Sequence, residues 1–310
     1  MDKAILLALA ASFCTATASV CQRLGAKSNE VTGFDVWLVF RLARRPVWLL
    51  GIASMMLGFV FQVSALRFGP LALVQPILAL ELLFVFAYMT IINRRVKVRR
   101  RDWLAAVAMS AGIGLFLRLA APSGGRLHAP GSWWWLAGLV TFGFVLVALA
   151  LAFGFGSRPG ASGSRQAALL GAATGVSWGF VAAVIKELSS HLSQGAGAIF
   201  ANWSPYVLIV VGAGTMLLAS HALAAGPLAA SQPGFTILDP LAASLLGLFL
   251  FTETIETGVV DLAGELIALV IVIAGVTALS HSHLIVGEDA TSSGRAAGHQ
   301  PQGEREQARL

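Results

Sequence analysis

Ala65-Leu66-Arg67-Phe68-Gly69-Pro70-Leu71-Ala72-Leu73-Val74-Gln75-Pro76 returns 157 residues later as Ala222-Leu223-Ala224-Ala225-Gly226-Pro227-Leu228-Ala229-Ala230-Ser231-Gln232-Pro233, with eight of twelve positions identical. Each copy ends one apolar run, turns at Gly-Pro, and opens the next run with Gln-Pro inside its second turn. A proline there has no N–H to give, so the carbonyl four residues earlier loses its partner, at Ala72 in one copy and Ala229 in the other. Two helical halves that carry the same break in the same place define an internal repeat.

The surroundings of both copies are apolar. Residues AVILMFWYC make up 57% of the chain and DEKR only 12%, with a mean hydropathy of +0.79. An ordinary soluble domain is about 45–50% apolar and about 25% charged, so the surplus must face lipid. A helix needs roughly 20 apolar residues to cross the hydrocarbon layer. Nine runs qualify: 4–24, 46–67, 71–92, 102–120, 132–154, 166–187, 203–223, 227–251 and 259–281. The expectation is an all-α polytopic membrane protein of about nine transmembrane helices. The first run has some features of a secretory leader, but its match to the run at 166–187 makes it a span. Residues 25–45 carry Asp35, Arg41, Arg44 and Arg45 and read as an interfacial segment or a reduced span. Cys14 and Cys21 lie seven residues apart on one helix, about 10.5 Å of rise, too far for a disulfide.

The repeat divides the chain. Residues 1–124 form a first half of four spans, 125–160 a linker with span five, 161–284 a second half of four spans, and 285–310 a polar, Gly/Ser/Gln-rich tail expected to be disordered. Small residues at four-residue spacing, Ala11, Thr15, Ser19 and Gly171, Gly175, Gly179, line the first helix of each half and read as packing stripes. Asp102 and Asp261 open the last helix of each half. One linker span makes the second half enter from the opposite face, so the repeats are inverted.

The net charge of +6 is a topology signal and not a nucleic-acid signal. Twelve basic residues (Lys27, Arg41, Arg44, Arg45, Arg94, Arg95, Lys97, Arg99, Arg100, Arg101, Arg158, Arg165) fall on one side of the nine spans, against five (Lys3, Arg67, Arg118, Arg126, Lys186) on the other. The richer side is cytoplasmic by the positive-inside rule, which puts the N-terminus outside and the C-terminus inside a cell membrane. Trp133-Trp134-Trp135 then begins span five at the outer interface. Arg outnumbers Lys 17 to 4, a bias of GC-rich bacterial genomes.

Charges at membrane depth cost about 2.5–3.5 kcal/mol on insertion scales and mark function. Glu81 and Asp239 lie near the middle of spans three and eight, five and six residues after the Gln-Pro prolines, as repeat equivalents within one residue. With Gln75, Gln232 and the carbonyls freed by Pro76, Pro233 and Pro240, they would form an oxygen-rich site for a proton, a hard cation or an amine. The competing reading is two protonated carboxyls that hold helices together. Glu265, Gln62 and Asn202 are secondary candidates, with helix–helix hydrogen bonding the simpler role for Gln62, Asn202 and Gln22. Lys186 and Glu187 read as a mutual pair or as snorkelling side chains, and His281 and His283 as solvated. His-Glu-x-x-His and Walker sequences are absent from the chain, and no catalytic residue, cofactor or enzymatic activity is expected and no metal is assigned.

Gly69-Pro70-Leu71, Gln75-Pro76 and Glu81 in one half, with Gly226-Pro227-Leu228, Gln232-Pro233, Phe251-Thr252-Glu253 and Ala274-Gly275-Val276 in the other, resemble the drug/metabolite transporter (EamA-like) superfamily. The resemblance covers about residues 4–281 and departs from the usual ten helices by one. The loop glutamate has its counterpart at Glu253, while the first half carries Asn93-Arg94-Arg95 there. Nine helices with an outside N-terminus look like the NIPA-type magnesium transporter branch. The resemblance implies a permease that moves a small metabolite or drug-like amine by alternating access, with divalent-cation transport as the alternative. A non-transporting scaffold or lipid-handling subunit is the reading from another class. The partners expected are a small-molecule or cation substrate and the lipid bilayer, with a homodimer left open and nucleic acid excluded.

Overall fold

The computed structural model describes residues 2–26, 45–92, 99–120, 122–154, 163–225, 230–231, 234–254 and 259–280. The expected interfacial stretch at 25–45, most of the 155–162 linker, the tail with His281 and His283, and Gly226–Ala229, Gln232 and Pro233 of the second repeat copy lie almost wholly outside the described residues. So do the side chains of Gln22, Asp261 and Glu265.

The described chain is almost entirely helical: α1 (Asp2–Ala26), α2 (Pro46–Phe68), α3 (Leu71–Leu78), α4 (Glu81–Ile92), α5 (Arg100–Ala120), α6 (Gly131–Gly154), α7 (Gly163–Ser190), a short α8 (Ala196–Ala201), α9 (Ser204–Ala225), α10 (Asp239–Phe251) and α11 (Val259–Ser280). Seven helical stretches are long and apolar enough to cross a membrane, counting Leu71–Ile92 as one, and Asp239–Phe251 is a shorter apolar helix. The protein is an all-α polytopic membrane protein. Its outward faces are greasy, with Leu139 and Leu146 on α6 and Ile209 and Val210 on α9 all about two-thirds exposed or more.

Local sequence explains the breaks. Pro46 starts α2, where a missing N–H costs nothing. Gly69 ends it, and Pro70 turns the chain straight into α3. Pro76 sits inside α3, which stops at Leu78; a turn at Ala79–Leu80 follows and the helix restarts at Glu81. The corresponding region of the second half is a π-helical turn at Gly234–Leu238 followed by α10 from Asp239. Pro240 was expected to interrupt a helix. It lies instead in the first turn of α10, where its ring is tolerated, and the irregularity precedes it.

The core runs between α1 (Ala4, Ala8), α2 (Val63, Leu66), α3 (Leu71, Val74), α7 (Phe180, Val184) and α10 (Ala243, Phe251). The helix α7 is the hub, packing on α9, α6, α10 and the π turn, while α1 packs on α2, α3 and α4, and α5 packs on α11. The glycine stripe of α7 permits its close approach to the irregular segment. A Cβ on Gly171 would lie 2.5 Å from the Ser231 carbonyl oxygen, and one on Gly179 2.6 Å from Ala242 Cβ. The tryptophan triplet divides its duties. Trp135 is exposed, whereas Trp134 turns inward against Phe180, Phe251 and Trp203.

One end of the bundle is sewn shut. Ser123–Gly124 and Glu253–Thr254 form a minimal antiparallel ribbon. Gly125, at φ +89°, then turns the chain so that the Arg126 N–H reaches the Phe251 carbonyl at 2.7 Å. A side chain at Gly125 would run into Glu253. The connections after α2, α5, α7 and α10 meet at this end.

Candidate functional site

The two helix restarts face a common cavity of about 610 Å³. Glu81, the first residue of α4, and Asp239, the first residue of α10, both line it. Gln75 of α3, Gln62 of α2 and Pro240 line it as well. Five residues singled out from sequence are therefore brought around one space. Each carboxylate belongs to the first residue of a helix that restarts after an irregular turn. Most of the remaining wall is apolar or aromatic, including Phe59, Trp178, Leu208 and Phe235.

Polar groups around the cavity are incompletely satisfied. Ser19 Oγ donates to Glu81 Oε1 at 2.8 Å. Asp239 Oδ1 and Gln75 Nε2 are buried with no hydrogen-bond partner among the described residues. Such groups are uncommon in folded proteins because each costs about 1–3 kcal/mol. Both residues line the cavity, so an acceptor and a donor without partners among the described residues lie beside it. The stripe Ala11, Thr15, Ser19 was read as packing alone. Packing accounts for part of it, since Gly58 of α2 sits against Thr15 and Ala11, but Ser19 also holds Glu81 and Thr15 lines the cavity.

Asn202 is elsewhere. Its Oδ1 accepts from the Ser204 N–H at 3.0 Å and its Nδ2 lies 2.9 Å from Nε2 of His191, so its role is hydrogen bonding at the closed end. Pro76 breaks the helix near the cavity without lining it. Gln232, Pro233 and the Glu265 side chain lie outside the described residues.

The expected pairing of Lys186 with Glu187 does not form, and neither side chain snorkels. Consecutive helical residues point about 100° apart, and both of these are buried. Lys186 Nζ pairs with Glu253 Oε1 and lies 4.9 Å from the centre of the Phe251 ring. Glu253 also accepts the N–H groups of Leu71 at 2.7 Å and Ala72 at 3.2 Å, so one carboxylate caps α3 and neutralises a lysine of α7. Glu187 turns to the 122–130 connection, accepting the Ala129 N–H at 3.1 Å and facing Nδ1 of His128. The signal for this network was faint but present. Lys186 is one of only four lysines, set in an apolar helix, and Glu253 follows directly on a repeat helix.

Fold and cavity together define a polytopic helical membrane protein with carboxylates at its interior helix breaks. A Corynebacterium glutamicum protein described as uncharacterised is 27% identical over 286 residues, which span 90% of this chain and 95% of that protein. No protein-family model matches the sequence, and no solved structure matches it.

Proposed function

We propose that the protein is a secondary transporter that moves a small organic amine across a bacterial plasma membrane by alternating access. The observation that carries this reading is the 610 Å³ cavity with Glu81 and Asp239 at two helix restarts. Its volume falls within the range of small-molecule sites, and interrupted helices that turn their ends toward a buried site recur in transporters built from inverted repeats.

The packing pattern supports two repeats. Contacts of α1 with α2 and α4 have counterparts in those of α7 with α9 and α10, while α5 and α11, the last helix of each half, pack on each other. Counting α3–α4 and the π turn with α10 as one broken span each, and adding α11, gives nine spans, eight of them in two sets of four joined by the linker helix α6. The basic residues then put the N-terminus outside, and the end closed by Glu253 becomes the outer gate. This agrees with the resemblance to drug/metabolite transporters. A magnesium ion, the cargo of the NIPA-like alternative, requires about six hard oxygen ligands in near-octahedral array. Walls of Phe59, Trp178, Leu208 and Phe235 suit an organic cation better, with the carboxylates as counter-charge and the rings as cation–π faces.

The test uses proteoliposomes carrying wild type, Glu81→Gln or Asp239→Asn, assayed with a fluorescent aromatic amine, with Mg²⁺, and with an internal pH indicator. Amine-coupled proton movement in wild type, lost in both variants, is the expected result. Mg²⁺ flux without amine flux would shift the reading to the cation branch. Equal flux in wild type and both variants would remove the carboxylates from the mechanism, and no flux of any probe would favour a scaffold.

A further inference from the structure

We propose that His128, Glu187 and His191 form a binding site for one divalent transition metal of the zinc class at the closed end of the bundle. The three residues come from two separate segments: His128 from the connection between α5 and α6, and Glu187 and His191 from the end of α7 and the turn beyond it. One ligand-capable atom from each lies within 4.8 Å of the others. The imidazole rings approach edge to face at 6.0 Å between centres.

The second observation concerns Glu187. Its side chain is fully buried; Oε2 accepts the Ala129 N–H, while Oε1 accepts no hydrogen bond of ordinary geometry and faces Nδ1 of His128. A buried carboxylate needs compensating charge. Lys186, its neighbour in sequence, is committed to Glu253 on another face of α7. Among the described residues, the groups turned toward Glu187 are the two imidazoles and one backbone N–H, and a divalent cation held between the carboxylate and the imidazoles would supply that charge.

The donor set selects the metal. Two imidazole nitrogens and one carboxylate oxygen match the three-protein-ligand zinc arrangement that leaves a fourth position open. Magnesium and calcium prefer all-oxygen shells of six or more ligands, and imidazole suits zinc, copper and nickel. A metal here would staple the 122–130 connection to α7 and α9 beside the Glu253 cap, and would hold this end closed.

The experiment uses the full chain in detergent, purified without a histidine tag, loaded with Zn²⁺ and freed of excess by gel filtration. Metal content is read by mass spectrometry, and Co²⁺ substitution by its visible absorption. The expected result is one Zn²⁺ per chain, Co²⁺ bands of a tetrahedral nitrogen/oxygen site, and a higher melting temperature with Zn²⁺ but not Mg²⁺. His128→Ala changes a largely exposed side chain, so the fold should survive while affinity falls by more than about 100-fold. A triple His281→Ala, His283→Ala, His299→Ala variant should keep the metal. No retained zinc in wild type, or equal retention in His128→Ala, overturns the site. The readout does not involve transport, and Glu81→Gln is expected to keep its zinc, so failure here and failure of the transport reading are separate results.

Discussion

Glu253 is the side chain whose neutralisation should be felt most. Its carboxylate accepts from Leu71 N–H, Ala72 N–H and Lys186 Nζ, and both charged side chains are at most 3% exposed. Glu253→Gln leaves the amide oxygen able to accept one backbone N–H, but sets an NH₂ against the remaining donors and strands a buried ammonium. Breaking one side of a buried ion pair costs about 3–5 kcal/mol. Lys186→Met is the milder perturbation. It leaves the carboxylate with two N–H donors at a helix N-terminus, a location worth up to about 2 kcal/mol to an anion, so about 2–3 kcal/mol is expected. The double variant replaces the pair by a neutral amide and an apolar chain of similar length, and should cost less than the sum of the singles by about 2 kcal/mol or more. Thermal melts in detergent, followed by the fraction of protein still monodisperse, provide the measurement. At about 2 °C per kcal/mol for a chain of this size, Glu253→Gln should lose roughly 6–10 °C. Single-variant costs that add within about 0.5 kcal/mol would refute the coupling and with it the gate assignment.

Three further outcomes follow from the same geometry. Gly175→Ala puts a methyl into the backbone of Gly234 and 3.0 Å from Leu238 Cβ, so it should destabilise by about 1–3 kcal/mol in the same melts, whereas Gly143→Ala on α6 meets nothing within 4 Å and should be neutral or stabilising by up to about 1 kcal/mol. Ser19→Ala removes a donor to Glu81 at 2.8 Å and should change the apparent affinity for the amine probe about 3–10-fold with little effect on melting temperature; unchanged affinity would detach Ser19 from the site. A reporter enzyme fused after Leu310 should be active only on the cytoplasmic side, and external activity would overturn the nine-span arrangement.

What the residues disclosed depends on how locally each feature is encoded. The broken span three was legible because Pro76 acts within its own turn, and Glu81 because a charge in an apolar run is visible without partners. The cavity that unites Glu81 with Asp239 was expected from the repeat alone, since equal offsets in two halves imply equal depths. Other features were not local. Pro240 looked like Pro76 in sequence, yet the π turn ahead of it makes it a helix-starting residue, a distinction set by the packing of Gly234 against Gly171 and Gly175. Lys186 and Glu187 resembled a pair because adjacency in sequence was mistaken for adjacency in space. On a helix they diverge, and each finds a partner 67 or 58 residues away. Those partners, Glu253 and the 128–129 turn, lie in connections that a hydropathy profile treats as empty. The charges that line the cavity could be read from pattern; the charges that close one end could be read only from the meeting of four connections. This separation also bears on the proposed transport: a carrier must be able to undo whatever closes it, and here one carboxylate, one lysine and two backbone amides close one end apart from the carboxylates in the cavity.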